Sequence, residues 1–172
     1  MLNIKKIFFK KKILIYGLGK SGYSCYYFLK KNNDISLYDD QKNLIKNKKF
    51  KKLLIEQGNI KKKKFDFIII SPGININKCN LKNFLRDNLS KIFTDLDIFY
   101  SHYFNNKNIV ITGTNGKSTT AKLLFKILKN QKQDIRLVGN IGNPILAEKK
   151  ITPKTIFVIE ASSYQIAYSK IF

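Results

Sequence analysis

Two features of this 172-residue chain specify an α/β fold built on parallel sheets. Short β-branched runs alternate with stretches of helical spacing, which is the pattern of strands joined by helical crossovers. Two of those runs also feed directly into glycine turns that open a helix, GLGKSG at 17–22 and GTNGKST at 113–119. Such a turn at the end of a buried strand points backbone N–H groups and a helix N-terminus at a common point.

The elements follow in order. Residues 13–16 (ILIY) form the first strand, and the turn after it leads into a helix with Gly22, Cys25, Tyr26 and Leu29 on one face. That helix ends near residues 31–33 (KNN). Residues 35–38 (ISLY) form the second strand, closed by Asp39 and Asp40, and a lysine-rich helical segment runs on to Gln57 and Gly58. Residues 67–70 (FIII) are the third strand, ended by Ser71, Pro72 and Gly73. A short helix over 81–88 and a short strand over 91–94 complete the first unit. The polar stretch 101–108 separates it from the second. There, the run at 109–111 precedes the second glycine turn, and Ala121, Leu124, Phe125 and Leu128 form the apolar stripe of the next helix. Strands at 135–138 and 156–159 follow, with a helix start near Ser162.

An apolar fraction of 44% fits a folded chain with a core. The formal net charge of +22 would ordinarily point to nucleic acid or an anionic surface. Of the 33 basic residues, however, only Arg86 and Arg136 are arginine, the residue favoured for bidentate phosphate and base contacts. Lysine here travels with abundant Ile, Asn, Phe and Tyr, a composition that A/T-rich codons explain, so no nucleic-acid partner is expected. Cys25 and Cys79 have neither metal-site nor disulfide-framework spacing. The basic start, MLNIKKIFFKKK, has too short an apolar stretch for a secretion signal. No apolar run approaches the ~18–20 residues of a membrane span. The expectation is a soluble, cytoplasmic monomer without membrane insertion.

GLGKSG matches a G-x-G-x-x-G fingerprint in its required strand–turn–helix context. Gly17 permits the turn, Gly19 lets backbone approach a diphosphate, and Gly22 allows close helix packing. Asp39 stands about 20 residues on, where an acidic side chain commonly holds a ribose hydroxyl. These residues alone fit NAD or another diphosphate ligand, and also a tight turn that binds nothing. GTNGKST is more specific. Only Thr114 and Asn115 separate Gly113 from Gly116, a shortened form of the phosphate loop. Lys117 would reach the β/γ-phosphates of ATP, and a hydroxyl of Ser118 would sit on Mg²⁺ beside Thr119.

Glu160 ends a buried strand, where a carboxylate serves either as a metal ligand or as a helix-start charge. Asn140, in GNIGNP, offers its amide to a substrate or simply tolerates a left-handed turn. His102 has no acid or nucleophile pattern around it, and Asp95 and Asp97 read as capping residues. The fold expected is a Rossmann-like parallel-sheet domain over 1–100, then the first part of a P-loop α/β ATPase domain over 101–172.

These motifs, in this order, resemble the Mur ligases, a resemblance carried by GLGKSGYSC, SPGI at 71–74, GTNGKST with GNIGNP, and EASSYQI at 160–166. SPGI and SSYQ favour the branch that adds D-glutamate. The resemblance implies that the first unit binds UDP-MurNAc-L-alanine and not NAD. Leu18, Gly19, Lys20 and Ser21 would approach the uracil and diphosphate, Asp39 and Asp40 would close over the uridine, and Ser71 and Gly73 would line the same pocket. Where the family commonly has threonine and a basic residue after the matching aspartate, this chain has Asp40 and Gln41. The resemblance further implies ATP phosphates at 113–119, Mg²⁺ on Ser118 and Glu160, and catalytic roles for Lys117 and the substrate-side Asn140. The activity implied is ATP-driven amide formation with D-glutamate through an acyl phosphate. A complete family member has three domains, including a metal-ligating histidine and a carbamylated lysine beyond the region matched here. The expectation is therefore nucleotide binding without ligation by this chain alone. The other readings are a different Mur or folate-type ligase and a non-catalytic nucleotide-binding remnant.

Overall fold

In a computed structural model of the chain, residues 6–41 and 48–172 are described. Period-two alternation of apolar side chains, buried on both faces, sets the first sheet. Its strands are β1 (Lys12–Tyr16), β2 (Asp34–Tyr38), β3 (Phe67–Ile70) and β4 (Ile92–Phe93), all parallel in the order β2-β1-β3-β4. Ile13, Ile15, Leu37 and Ile69 face one side, while Leu14, Tyr16, Tyr38, Ile68 and Ile70 face the other. Burial on both faces is what parallel sheets with helical crossovers require.

The crossovers are α1 (Lys20–Leu29), α2 (Lys48–Lys51), α3 (Gln57–Ile60) and α4 (Lys82–Asp87). The lysine-rich segment expected to be one helix thus holds two single turns. Between them the chain is drawn into the sheet edge, where Leu37 and Leu54 form a bridge. Its part at 42–47 lies outside the described residues, as do residues 1–5 of the basic start.

α5 (Asp95–Tyr103) then carries the chain across to the second sheet. Thr94 caps it, and the Asp97 carboxylate accepts the Thr94 N–H at 2.8 Å in a capping box. Ser101, expected to open a polar separator, is fully buried inside this helix, so the position between 100 and 101 falls within a continuous element. His102 lies half-buried against the Phe28 ring, with its Nδ1 near the Ser101 hydroxyl and the Ile98 carbonyl.

The second sheet contains β5 (Lys107–Ile111), β6 (Ile135–Gly139) and β7 (Ile156–Glu160), parallel in the order β5-β7-β6. α6 (Lys117–Asn130) covers one face, burying Ala121 against Ile135 and Val158. Phe157 and Ile159, on the other face, enter the same core as α1, α5 and Ile13 and Ile15 of the first sheet. α7 (Ser163–Tyr168) ends the described elements, capped by Ser162 and Gln165. One apolar core therefore runs beneath both sheets and fixes their C-terminal edges relative to one another. Among the described residues no helix is long and apolar enough to cross a membrane.

Candidate functional site

Ligands of open parallel sheets sit beyond the carboxyl ends of the strands, and the candidate residues gather there. Gly17 follows β1, Asp39 follows β2 and Ser71 follows β3. In the first turn, Gly17 has φ +93°, a conformation that disfavours any side chain. A Cβ on Gly22 would lie 1.9 Å from the Gly17 carbonyl oxygen, so only glycine lets α1 pack this close to the turn. The Ser71 hydroxyl donates to that same carbonyl at 2.7 Å, joining the two loops. At Gly19, by contrast, a Cβ would meet no protein atom within 4 Å, leaving its backbone open to an approaching ligand.

These loops form one wall of a cavity of about 390 Å³. Leu18, Gly19, Lys20, Ser21, Asp39, Ser71 and Gly73 all border it. The opposite wall comes from the second sheet and includes Asn140. Asp39 is engaged with its own loop: its carboxylate accepts the N–H groups of Leu18 and, at 2.8 Å, Gln41. Asp40, the other residue expected to close over the uridine, is not among the residues that border the cavity. Its two carboxylate oxygens instead accept the Tyr16 hydroxyl at 2.8 and 2.7 Å, and the Asn80 N–H reaches one of them at 3.4 Å. Burial, with this carboxylate beside it, pushes the Tyr16 phenol far above its ordinary value. The polar partner of a buried tyrosine on the far face of the sheet has no local signature, which is why sequence reasoning missed it.

On the second sheet, β5 pairs Ile111 with Glu160, and β6 pairs Gly139 with Glu160. The phosphate loop, the GNIGNP turn and the end of central strand β7 therefore share one edge. Gly113 and Gly116 have φ +140° and +76°, and added Cβ atoms would meet almost nothing. Thr114, Asn115 and Thr119 are exposed, while Lys117 and Ser118 are half-buried. The Lys117 ammonium donates to the carbonyls of Gly113 at 2.6 Å and Thr114 at 3.1 Å, curling the loop around itself. No acidic residue occupies the first turn of α6, so its positive end is uncompensated within the helix.

Glu160 is 4% exposed, and among the described residues its Oε2 has no hydrogen-bond partner. A buried carboxylate oxygen without a partner costs about 1–3 kcal/mol or more. A cation held there would remove that cost, so Glu160 fits a hard cation such as Mg²⁺. Among the described residues no group of three or more His, Cys, Asp or Glu side chains is placed to hold a metal ion. Gly139 is obligatory beside Glu160: a Cβ would lie 2.2 Å from the Glu160 carbonyl oxygen. That carbonyl accepts the Asn140 N–H at 3.0 Å, placing Asn140 between the cavity and the Glu160 end of the sheet.

Residues 11–92 match the Mur ligase MurD-like N-terminal domain, and residues 111–171 match the Mur ligase middle domain. The chain belongs to the Mur ligase family. Its family matches leave α5 between them, the helix that joins the two sheets. This Mur ligase chain is 36% identical over 166 residues to the UDP-N-acetylmuramoylalanine--D-glutamate ligase of Rickettsia prowazekii, covering 95% of this chain and 37% of the relative. It is 40% identical over 164 residues to the ligase of the same name from Buchnera aphidicola, covering 92% of this chain and 37% of the relative. A third, from Caldicellulosiruptor bescii, is 36% identical over 180 residues, with 94% of this chain and 37% of the relative covered. The chain thus spans little more than a third of the length of these relatives. Beyond the motif residues, the cavity wall includes Pro72, Ile74, Gly142 and Pro144. Their positions inside SPGI and GNIGNP were the only sequence signal for them.

Proposed function

We propose that this chain carries the UDP-sugar site and the ATP-phosphate site of a D-glutamate-adding Mur ligase. The observation that carries the reading is the orphaned Oε2 of buried Glu160, set between the phosphate loop and the Asn140 turn at one sheet edge. The names of the similar proteins supply the substrate: UDP-N-acetylmuramoyl-L-alanine, to which D-glutamate is added.

In the reaction proposed, a carboxylate oxygen of the substrate's L-alanine forms a bond to the γ-phosphorus of ATP. The bond to the β,γ-bridging oxygen breaks, and ADP leaves. The amine of D-glutamate then attacks the acyl carbon, phosphate departs with the bonding pair, and the amine loses a proton to leave an amide. Mg²⁺ on Glu160 and Ser118 would supply charge neutralisation of the phosphates. The chain's own residues would bind and align. Loop amides of residues 113–119 and the start of α6 face the phosphates, and Lys117 exchanges its carbonyl partners for phosphate oxygens. Leu18–Ser21 and Ser71 would hold the uridine diphosphate, and Asn140 would orient the part of the substrate nearer the γ-phosphate.

Titration calorimetry tests both sites. UDP-MurNAc-L-alanine should bind in preference to NAD, and Mg²⁺–ATP should bind with an affinity that Lys117→Ala lowers by a factor of about 100 or more. Clear preference for NAD, or unchanged ATP binding by the variant, would overturn the proposal.

A further inference from the structure

Asp95 is a buried carboxylate that the proposed reaction does not use. It begins α5 and is 2% exposed, and it accepts a hydrogen bond from Gln165 Nε2 at 2.9 Å. Gln165 is also 2% exposed and, in the α7 capping box, its Oε1 accepts the Ser162 N–H at 3.0 Å. Ser162 follows Glu160 by one intervening residue, Ala161. On its other side, Asp95 opens α5, which follows β4 of the first sheet and packs in one apolar core with α1, the helix that the diphosphate turn opens. A link therefore leads from α5, packed with α1 behind the diphosphate turn, through Asp95 and Gln165, to the segment that carries Glu160.

Nearby contacts anchor this junction and do not duplicate it. Asp97, fully buried, accepts the N–H groups of Lys170 at 2.7 Å and Ile171 at 2.8 Å. The Thr94 and Ser169 hydroxyls lie 2.7 Å apart. Those bonds hold the chain after α7 against α5, whereas the Asp95 bond reaches the α7 cap that follows Glu160. An apolar pair of similar volume would stabilise such a buried junction at least as well as a charged one. What a carboxylate–amide bond adds is a single defined geometry.

We propose that Asp95 is a positioning residue which, through Gln165, fixes the diphosphate turn of the first sheet relative to the Asn140 wall of the second, so that a ligand spanning both walls is held in one geometry. The proposal rests on the UDP-sugar reading of the cavity. UDP alone would touch the first wall only, and UDP-MurNAc-L-alanine would reach across to Asn140. Calorimetry with these two ligands separates the roles. Asp95→Ala should weaken the spanning ligand by about tenfold and leave UDP within about twofold, since small misplacements cost a ligand held at both ends most. The swapped pair Asp95→Asn with Gln165→Glu, which rebuilds an amide–carboxylate bond in reverse, should restore the spanning ligand to within about threefold. If Asp95→Ala fails to fold by circular dichroism, Gln165→Ala should give the same difference between ligands. Equal losses for both ligands, no loss for either, or no rescue by the swap would overturn the positioning role while leaving the cavity assignment intact. Failure of the unaltered chain to bind either ligand would instead overturn the cavity assignment and the inference with it.

Discussion

The two glycine turns of this chain are built by opposite means. Around the GLGKSG turn the protein is already closed: a Cβ on Gly17 or Gly22 would run into Ser71, one on Gly22 also into the Gly17 backbone, and Asp39 and Ser71 tie the loop down. Around GTNGKST it is open: Cβ atoms on Gly113 and Gly116 would meet almost nothing, and Lys117 bonds to its own loop carbonyls. The first turn is shaped by packing before any ligand arrives. The second is shaped by the positive φ of its glycines and by the Lys117 bonds to its own carbonyls. Glycine serves close approach in one and a positive φ in the other, so the same residue type should fail differently when replaced.

The largest effect should fall on the closed turn. Gly22→Ala drives a Cβ to 1.9 Å from the Gly17 oxygen, and neither partner is a flexible side-chain end. Backbone must move, which should cost about 1–3 kcal/mol or more by urea denaturation. Gly19→Ala, three residues earlier, meets no protein atom and should leave stability unchanged within about 0.5 kcal/mol. Equal destabilisation by the two substitutions would show that packing does not shape this turn. In the open loop, Gly116→Ala has room for its Cβ and only the φ of +76° to resist it. The expected cost is about 1–2 kcal/mol, smaller than at Gly22, together with weaker Mg²⁺–ATP binding by calorimetry. A larger loss at Gly116 than at Gly22 would invert the comparison.

Sequence alone carried the parts of this molecule that depend on neighbours in the chain. Strand–turn–helix order placed both turns, short apolar runs placed β1 and β3 within a residue, and helical spacing showed which faces of α1 and α6 are apolar. The Glu160 position followed from a charge ending an apolar run. What sequence could not carry depends on contacts distant in the chain. Asp95 and Gln165 meet across 70 residues, so neither looks like more than a capping residue on its own. Asp40 and Tyr16 meet across 24, a pairing that no local pattern announces. The polar stretch after residue 100 looked like a linker because composition does not reveal which hydroxyls are buried. Ser101 is buried because its hydroxyl donates back to the Ile98 carbonyl at 2.7 Å inside α5, satisfying it without solvent.

The smallest effect should come from the end of the second sheet opposite its phosphate loop, where polar ties take the place of packing. Asp134 precedes β6, and its carboxylate accepts the Thr155 hydroxyl and an Arg136 N–H, with the Thr152 hydroxyl at 3.3 Å. Its backbone carbonyl accepts the Ile156 N–H at 2.8 Å, so it joins the starts of β6 and β7. The Thr155 hydrogen bond, with Arg136 beside it, holds the Asp134 carboxyl below its ordinary value. A carboxyl lowered on folding contributes stability that is fully present above the unfolded value, near pH 4, and is lost as pH falls through the folded value. Asp134→Asn should therefore destabilise the chain at neutral pH by less than about 1 kcal/mol, because the group is partly solvated and screened. That difference should shrink below about pH 4, as followed by urea denaturation across pH. Because the site lies at the sheet end away from residues 113–119 and 140, affinity for Mg²⁺–ATP should not change. A pH-independent loss would mean that Asp134 acts through its volume, and a loss of ATP affinity would mean that the open loop depends on the sheet beneath it as much as the closed turn does.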